Sequence, residues 1–258
     1  MTFRWYDYLL KGVENGLSRE RPVKIFVMGK NIWREEDSWP LARARETRYY
    51  LHSAGKANTL SGDGKLSTTP PAIEAPDKYV YDPADPVPTR GGPVPLHESA
   101  GPVDQRPAEN REDVLVYTTP SFQRDTEVTG PVTLELYVSS SAVDTDFTGK
   151  LIDVWPNGNA ENLLDGILRA RYRNSMEKAE FMNPGEIYKL SINLWSTSNV
   201  FLAGHKLRVE VSSSNFPRFN RNLNTGEDPE RGTRMIKASN LVYHDKEHPS
   251  ALVVSIVP

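Results

Sequence analysis

Residues 132–138 read V-T-L-E-L-Y-V. In an extended chain successive side chains point to opposite sides, so Val132, Leu134, Leu136 and Val138 share one face while Thr133, Glu135 and Tyr137 share the other. The same period of two recurs in Tyr188, Leu190, Ile192 and Leu194, and again in Leu207, Val209 and Val211. Around these stretches lie VLVYT (114–118), GKLIDVW (149–155), ILRARYR (167–173) and ALVVSIV (251–257), with turn residues between them. Half-buried antiparallel strands at this density predict a mostly β chain, a two-sheet sandwich of jelly-roll type.

Upstream the pattern changes. FRWYDYLLKG (3–12) places Phe3, Trp5, Tyr6, Leu9 and Leu10 on one helical stripe that ends at Gly12. A helix this short and aromatic needs a surface to cover it. VKIFVM (23–28) reads as a buried strand, followed by the tryptophan-rich NIWREEDSWPLA with Trp33 and Trp39. Residues 52–112 are dense in turns, with SGDG, TTPP, DPADPVP, RGGPVP and AGPVDQRP, and TRYYL (47–51) and KYVY (78–81) are the strands expected beside them. A stretch so long and so irregular is either functional or wraps a scaffold.

Bulk properties exclude several classes. A length of 258 residues suffices for a large core, and 20 prolines with 17 glycines favour turns over long helices. A net charge of −3 offers no footprint for nucleic acid. Zero cysteines exclude disulfides and every thiolate metal site. No apolar run reaches the roughly 18 residues of a membrane span, and the first residues lack the apolar region of a signal peptide. A cytoplasmic location without membrane contact is therefore the expectation.

Catalytic motifs are missing. The tight turn of a nucleophile elbow needs G-x-S-x-G, and Gly16-Leu17-Ser18-Arg19-Glu20 fails at the second glycine. Gly62-Asp63-Gly64-Lys65 lacks the spacing of a phosphate loop. Asp144 and Asp146 fall short of the six to eight oxygens of a calcium site, and strand-end hydrogen bonding is their expected role. His244-Asp245-Lys246-Glu247-His248 matches H-x-x-E-H, which binds zinc only from a helix; Pro249 follows at once and the closing strand comes next. No catalytic residue, cofactor or metal is expected.

Several strings taken together carry a resemblance. FRWYDYLLKG, VKIFVMGKNIWREEDSWPL (23–41), YVYDPADPVPTRGG (79–92), PVDQRPAENREDVLVYTT (102–119), SSSAVDTDFTGKLIDVWPNG (139–158) and SNFPRFNRNLNTG (214–226) are similar, in this order, to the cocaine esterase-like hydrolases within the X-Pro dipeptidyl-peptidase and α-amino acid ester hydrolase family. The resemblance covers essentially the whole chain. It implies a serine ester or amide hydrolase in which an α/β-hydrolase domain with a helical cap holds a Ser-His-Asp triad and a C-terminal, galactose-binding-like jelly roll packs against both. Residues 1–22 resemble the last helix and linker of the hydrolase domain, and residues 23–258 the jelly roll. The triad would lie upstream of Met1, so none of it is carried over and the chain alone is expected to be inactive. His205 and His248 fall at strand entries and are read as structural.

The implied role is to buttress a missing α/β-hydrolase domain, in the same chain or a separate subunit, and to border its substrate cleft, so that an ester or peptide substrate is met only through that domain. Candidate contacts are Phe3, Trp5, Tyr6, Trp33 and Trp39, with Asn215, Phe216, Arg218 and Arg221 of the loop SSSNFPRFNRNLNTG (212–226). That loop has no histidine or carboxylate to pair with a nucleophile. Two alternatives stand beside this reading: a shortened paralogue docking onto a separate hydrolase, and a free-standing carbohydrate- or protein-binding sandwich. The latter would use Trp155, Trp195, Tyr172 and Tyr188, which are otherwise expected to fill the core.

Overall fold

The computed structural model describes residues 2–93, 100–228 and 230–258. The aromatic stripe forms helix α1 (Thr2–Lys11), and Gly12 stops it by taking a φ of +67°, a left-handed conformation open to glycine at little cost. No residue of α1 is buried. Strands β1 (Val23–Val27) and β2 (Ile32–Glu36) then pair as a separate two-stranded hairpin. The buried strand expected at 23–28 is corrected here: only Val27 is buried, while Lys24 and Phe26 face outward. The hairpin is fixed to the main body at its end, where Met28 bridges Asn199, and by Arg34, whose guanidinium donates 2.8 Å to Glu127.

The main body uses β3 (Arg45–His52), β4 (Lys65–Ser67), β5 (Asp77–Tyr81), a single helical turn α2 (Arg106–Glu109), β6 (Leu115–Thr118), β7 (Thr126–Ser140), β8 (Asp146–Val154), β9 (Ala160–Arg169), β10 (Tyr188–Phe201), β11 (Lys206–Ser212), β12 (Ala238–Tyr243) and β13 (Ala251–Val257). Strand order is β5-β12-β7-β13-β3-β4-β6-β11-β8-β9, with β10 also on β7. The pairings between these strands are antiparallel apart from β4 with β6, where Lys65 meets Thr118 in parallel. β7 is the organiser: β10 runs along one side of it, and β12 then β13 along the other.

β8 and β9 lie face to face with β7 and β10. Gly149 and Gly166 permit this approach, because a Cβ on Gly149 would stand 2.6 Å from Leu134 Cδ2 and one on Gly166 2.3 Å from the Asn193 carbonyl. Between the layers Leu134, Leu136, Ile192 and Leu194 meet Phe147, Leu151, Val209 and Val211, all fully buried. This two-layer packing buries the face that the period of two predicts, and the mostly β sandwich with one short N-terminal helix is the fold observed.

The outer face of β8 and β11 is covered as well. Every residue of β8 is buried, and Arg208 and Glu210 of β11 are buried between Leu207, Val209 and Val211. Residues from the turn-dense stretch make this cover: the Gln105 side chain accepts 2.9 Å from Lys150 Nζ, and Glu109 of α2 accepts 2.6 Å from Arg208. Part of the 52–112 stretch thus wraps the scaffold. The strand expected at 167–173 is displaced; β9 ends at Arg169 and a 3-10 turn follows. Among the described residues no helix is long and apolar enough to cross a membrane.

Candidate functional site

Exposed apolar side chains collect on the first elements. Phe3 is 85% exposed and Trp33 62%, and Trp5, Tyr6, Leu9, Leu10, Phe26, Ile32 and Trp39 are also open. In the hairpin Phe26 and Trp33 meet edge to face at 5.4 Å. The hairpin is nevertheless a defined platform, because Glu36 is buried and receives both Arg43 and Arg34. Arg43's hydrogen bonds foremost hold the Glu36 carboxyl down at about 2, so this anchor stays charged at ordinary pH.

The loop 212–226 is tied inward. Ser213 Oγ bonds the Tyr79 hydroxyl at 2.8 Å, and Ser214 Oγ accepts from the Val87 amide. The Asn222 amide nitrogen donates 2.7 Å to Asp144 and 2.8 Å to Asp146, and those carboxylates pair with Arg171 and Arg169. Asp144 and Asp146 hold this knot at the start of β8, which is the hydrogen-bonding role expected of them. Asn215 is buried and donates 3.1 Å to Asp165 of β9. Arg218 lies 3.1 Å from the same carboxylate and also donates to the Pro93 carbonyl. Arg221 donates to the Pro83 carbonyl, and Phe216 is partly exposed. The loop therefore brings Asn215 and Arg218 together on Asp165, whereas Phe3, Trp5, Tyr6, Trp33 and Trp39 stand on the separate N-terminal elements.

Beside Arg218 opens a cavity of about 720 Å³, lined by Met28, Leu163, Leu164, Asp165 and Trp195 among others. Trp195 does not fill the core, and neither does Trp155; they are 68% and 40% exposed, a correction to the expectation that they would. Trp195 follows the inward-facing Leu194 and so lies on the outer face of β10; there the β10–β7 register also shifts between Asn193 and Ser196, and Trp195 takes a φ of +71°. Tyr188 stays partly buried against the core.

His205, His244 and His248 make hydrogen bonds within the fold. His244 is buried, with Nε2 at 2.9 Å from Asp77 and Nδ1 at 3.2 Å from Glu74; Ser53 and Tyr117 hydroxyls reach the same Asp77 oxygen at 2.7 Å. A serine, a histidine and an aspartate meet here, but the geometry is wrong for a triad. The imidazole does touch a serine and an acid, with Ser53 Oγ 3.2 Å from Nε2 and Glu74 3.2 Å from Nδ1, but the Ser53 hydroxyl donates to Asp77 at 2.7 Å and Nε2 lies 2.9 Å from the same oxygen, so Nε2 is engaged by the aspartate and not free to take the serine proton. Residues 244–248 are not helical, His248 turns to Asp245, and His205 bonds Asp153 at 2.8 Å. Among the described residues no group of three metal-ligating side chains forms a site.

The family model of the X-Pro dipeptidyl-peptidase C-terminal non-catalytic domain matches residues 15–253. The chain is 47% identical over 256 residues to the cocaine esterase of Rhodococcus sp. (strain MB1 Bresler), covering 98% of this chain and 45% of that protein. A putative Xaa-Pro dipeptidyl-peptidase of Bacillus anthracis is 24% identical over 83% of this chain and 32% of that protein. Among solved structures, an aminopeptidase from a marine sediment Thaumarchaeota archaeon superposes with a TM-score of 0.85 at 30% identity, covering 100% of this chain and 43% of that one. An α-amino acid ester hydrolase superposes with a TM-score of 0.81 at 29% identity, covering 91% and 41%. The chain thus spans less than half the length of these relatives. With its sandwich, its inward-tied loop and its match across most of its residues, the chain belongs to the family of X-Pro dipeptidyl-peptidase C-terminal non-catalytic domains, as found in cocaine esterase-like hydrolases.

Proposed function

We propose that this chain buttresses the catalytic unit of a serine ester or amide hydrolase and borders its substrate cleft. The observation that carries the reading is the set of apolar side chains left exposed on the first elements, Phe3, Trp5 and Tyr6 on α1, Ile32 and Trp33 on β2 and Trp39 just beyond it, with no cover among the described residues. Several large apolar side chains exposed on neighbouring elements of the sequence mark a contact site. Its occupant is the α/β-hydrolase unit, and the 45% coverage of the cocaine esterase relative supports that choice. Residues 1–22 then belong with the catalytic unit and residues 23–258 form the buttress.

Catalysis does not arise within this chain. The Ser53–His244–Asp77 cluster is locked by its own hydrogen bonds, and the loop 212–226 spends its polar groups on the sandwich. The test is to incubate the chain with short-chain nitrophenyl esters and with a fluorophosphonate probe. No turnover and no labelled serine are expected; turnover with labelling of Ser53 or any other serine overturns the reading.

A further inference from the structure

The outer face of β11 is covered at one end only. Leu207 and Val209 point into the core, so Lys206, Arg208 and Glu210 share the opposite face. Register places Thr118 of β6 beside Arg208 and Lys65 of β4 beside Thr118; with Tyr117 and Leu66 in the core, those two side chains lie on the same outer face. α2 covers the Glu210 end, where Ala108 packs with Val116 and Glu109 holds Arg208. The Lys206 end is open, and two adjoining hollows of about 460 and 370 Å³ lie there, sharing Leu60, Lys206 and Arg208. Their charge is one-sided. Lys65, Arg106, Lys206 and Arg208 line them and no carboxylate does, in a chain with 34 acidic and 31 basic residues. Arg106 pairs with Asp104 and Arg208 with Glu109, whereas Lys65 and Lys206 make no ion pair among the described residues. Like charges on neighbouring positions of one sheet face repel unless an anion lies between them.

We propose that this groove binds a small phosphate monoester, with the phosphate between Lys65 and Lys206 and the organic part toward Trp155 and Pro156. Such a group carries close to two negative charges near neutral pH, which matches the two unpaired ammonium groups. Thr118 and Thr119 accept from Arg208 and from the Leu207 amide, so each O–H remains to donate to a phosphate oxygen. At the other end the Trp155 indole is set against His205 at 5.5 Å and forms, with Pro156 and Leu60, an apolar wall. Three alternatives fit less well. A cation is repelled by four positive side chains. A neutral sugar leaves the two ammonium charges uncompensated. A long polyanion such as nucleic acid works against the net charge of −3. This proposal does not rest on the docking reading, since none of these residues belongs to α1 or the β1–β2 hairpin.

Phenyl phosphate, phenol, inorganic phosphate, succinate and a hexaglutamate peptide are titrated into the chain at low salt. Binding is followed by NMR at the Lys206 amide and the Trp155 indole N–H, assigned with W155F. Phenyl phosphate is expected to bind in the millimolar range and to weaken several-fold in about 0.2 M salt. Inorganic phosphate is expected to bind about threefold more weakly for want of the ring contact with Trp155. Lys65→Ala and Lys206→Ala are each expected to weaken phenyl phosphate about threefold, and the double variant about tenfold. Lys206→Arg keeps the charge and should retain binding, which separates loss of charge from loss of fold. Lys178→Ala, a highly exposed lysine outside the groove, should change nothing. No binding of phenyl phosphate overturns the proposal, as does equal binding of phenol or of inorganic phosphate. So does indifference to the double variant, an equal loss in K178A, or tighter binding of succinate or hexaglutamate.

Discussion

Residues 2–36 and the sandwich are built from the same apolar residue types, arranged in opposite ways. In the sandwich Leu134, Leu136, Ile192 and Leu194 face a second sheet and are fully buried, whereas α1 buries nothing and the hairpin turns Phe26, Ile32 and Trp33 outward. The sandwich is complete in itself. The first elements leave their apolar side chains exposed, and Arg34 on Glu127 and Arg43 on Glu36 hold the hairpin in place; under the proposed docking this surface meets the catalytic unit. Orientation of a side chain, and not its hydrophobicity, separates a core from a contact surface.

The sharpest way to break the comparison is a matched pair of substitutions. Leu136→Ala in the core should cost about 2–5 kcal/mol in chemical denaturation, while Trp5→Ser on α1 should change stability by no more than about 0.5 kcal/mol. A large loss at Trp5 would mean that α1 is packed by this chain. Next in size, Asn222→Ala leaves the Asp144 and Asp146 carboxylates short of the amide that links them, and should cost about 1–3 kcal/mol in the same measurement. It should also raise hydrogen exchange across 212–226, because this knot ties the loop to β8.

A pH effect sharpens the contrast within the sandwich, between its apolar interior and the charged layer under α2. Burial first, and the neighbouring Glu210 charge second, push the Glu109 carboxyl from its ordinary 4.5 up to about 7, against the pull of Arg208. A group raised on folding lends stability that is complete below its unfolded value and is lost as pH rises through the folded one. His244 works in the same direction: burial lowers it, but the Asp77 hydrogen bond and charge outweigh burial and raise it. Thermal stability should therefore fall as pH rises from about 5 to about 8, and Glu109→Gln should flatten part of that slope. An unchanged slope in E109Q would remove Glu109 from the account. The smallest expected effect is Phe3→Ser, which should leave the melting temperature unchanged and reduce only the binding of an apolar dye such as ANS.

Much of the sandwich was legible because burial on one face imposes a period of two, as at Val132–Val138 and Tyr188–Leu194. β12 escaped because ASNLVY is short and half polar, and is held by its neighbours β5 and β7. The burial of Arg208 and Lys150 was not legible, since it depends on a wrap distant in sequence whose Glu109 and Gln105 supply the partners. Trp195 was misread although the sequence showed its side: Leu190, Ile192 and Leu194 point inward, and the period of two turns the next residue outward. In the candidate site, the N-terminal aromatics were visible as a helical stripe lacking a partner. The loop was visible as self-tying from its asparagines, but its anchors on Asp144, Asp146 and Asp165 were not, because carboxylates in other strands carry no mark of the loop they will hold.

The central claim is that the N-terminal apolar face docks a hydrolase catalytic unit, and complementation tests it directly. The catalytic part of the Rhodococcus cocaine esterase, produced without its C-terminal part, is assayed for ester hydrolysis with and without this chain, and with W5S and W33S variants. The account predicts that the chain binds and raises activity, and that the two variants lose this effect while remaining folded. Activity unchanged by the chain, or raised equally by both variants, contradicts it.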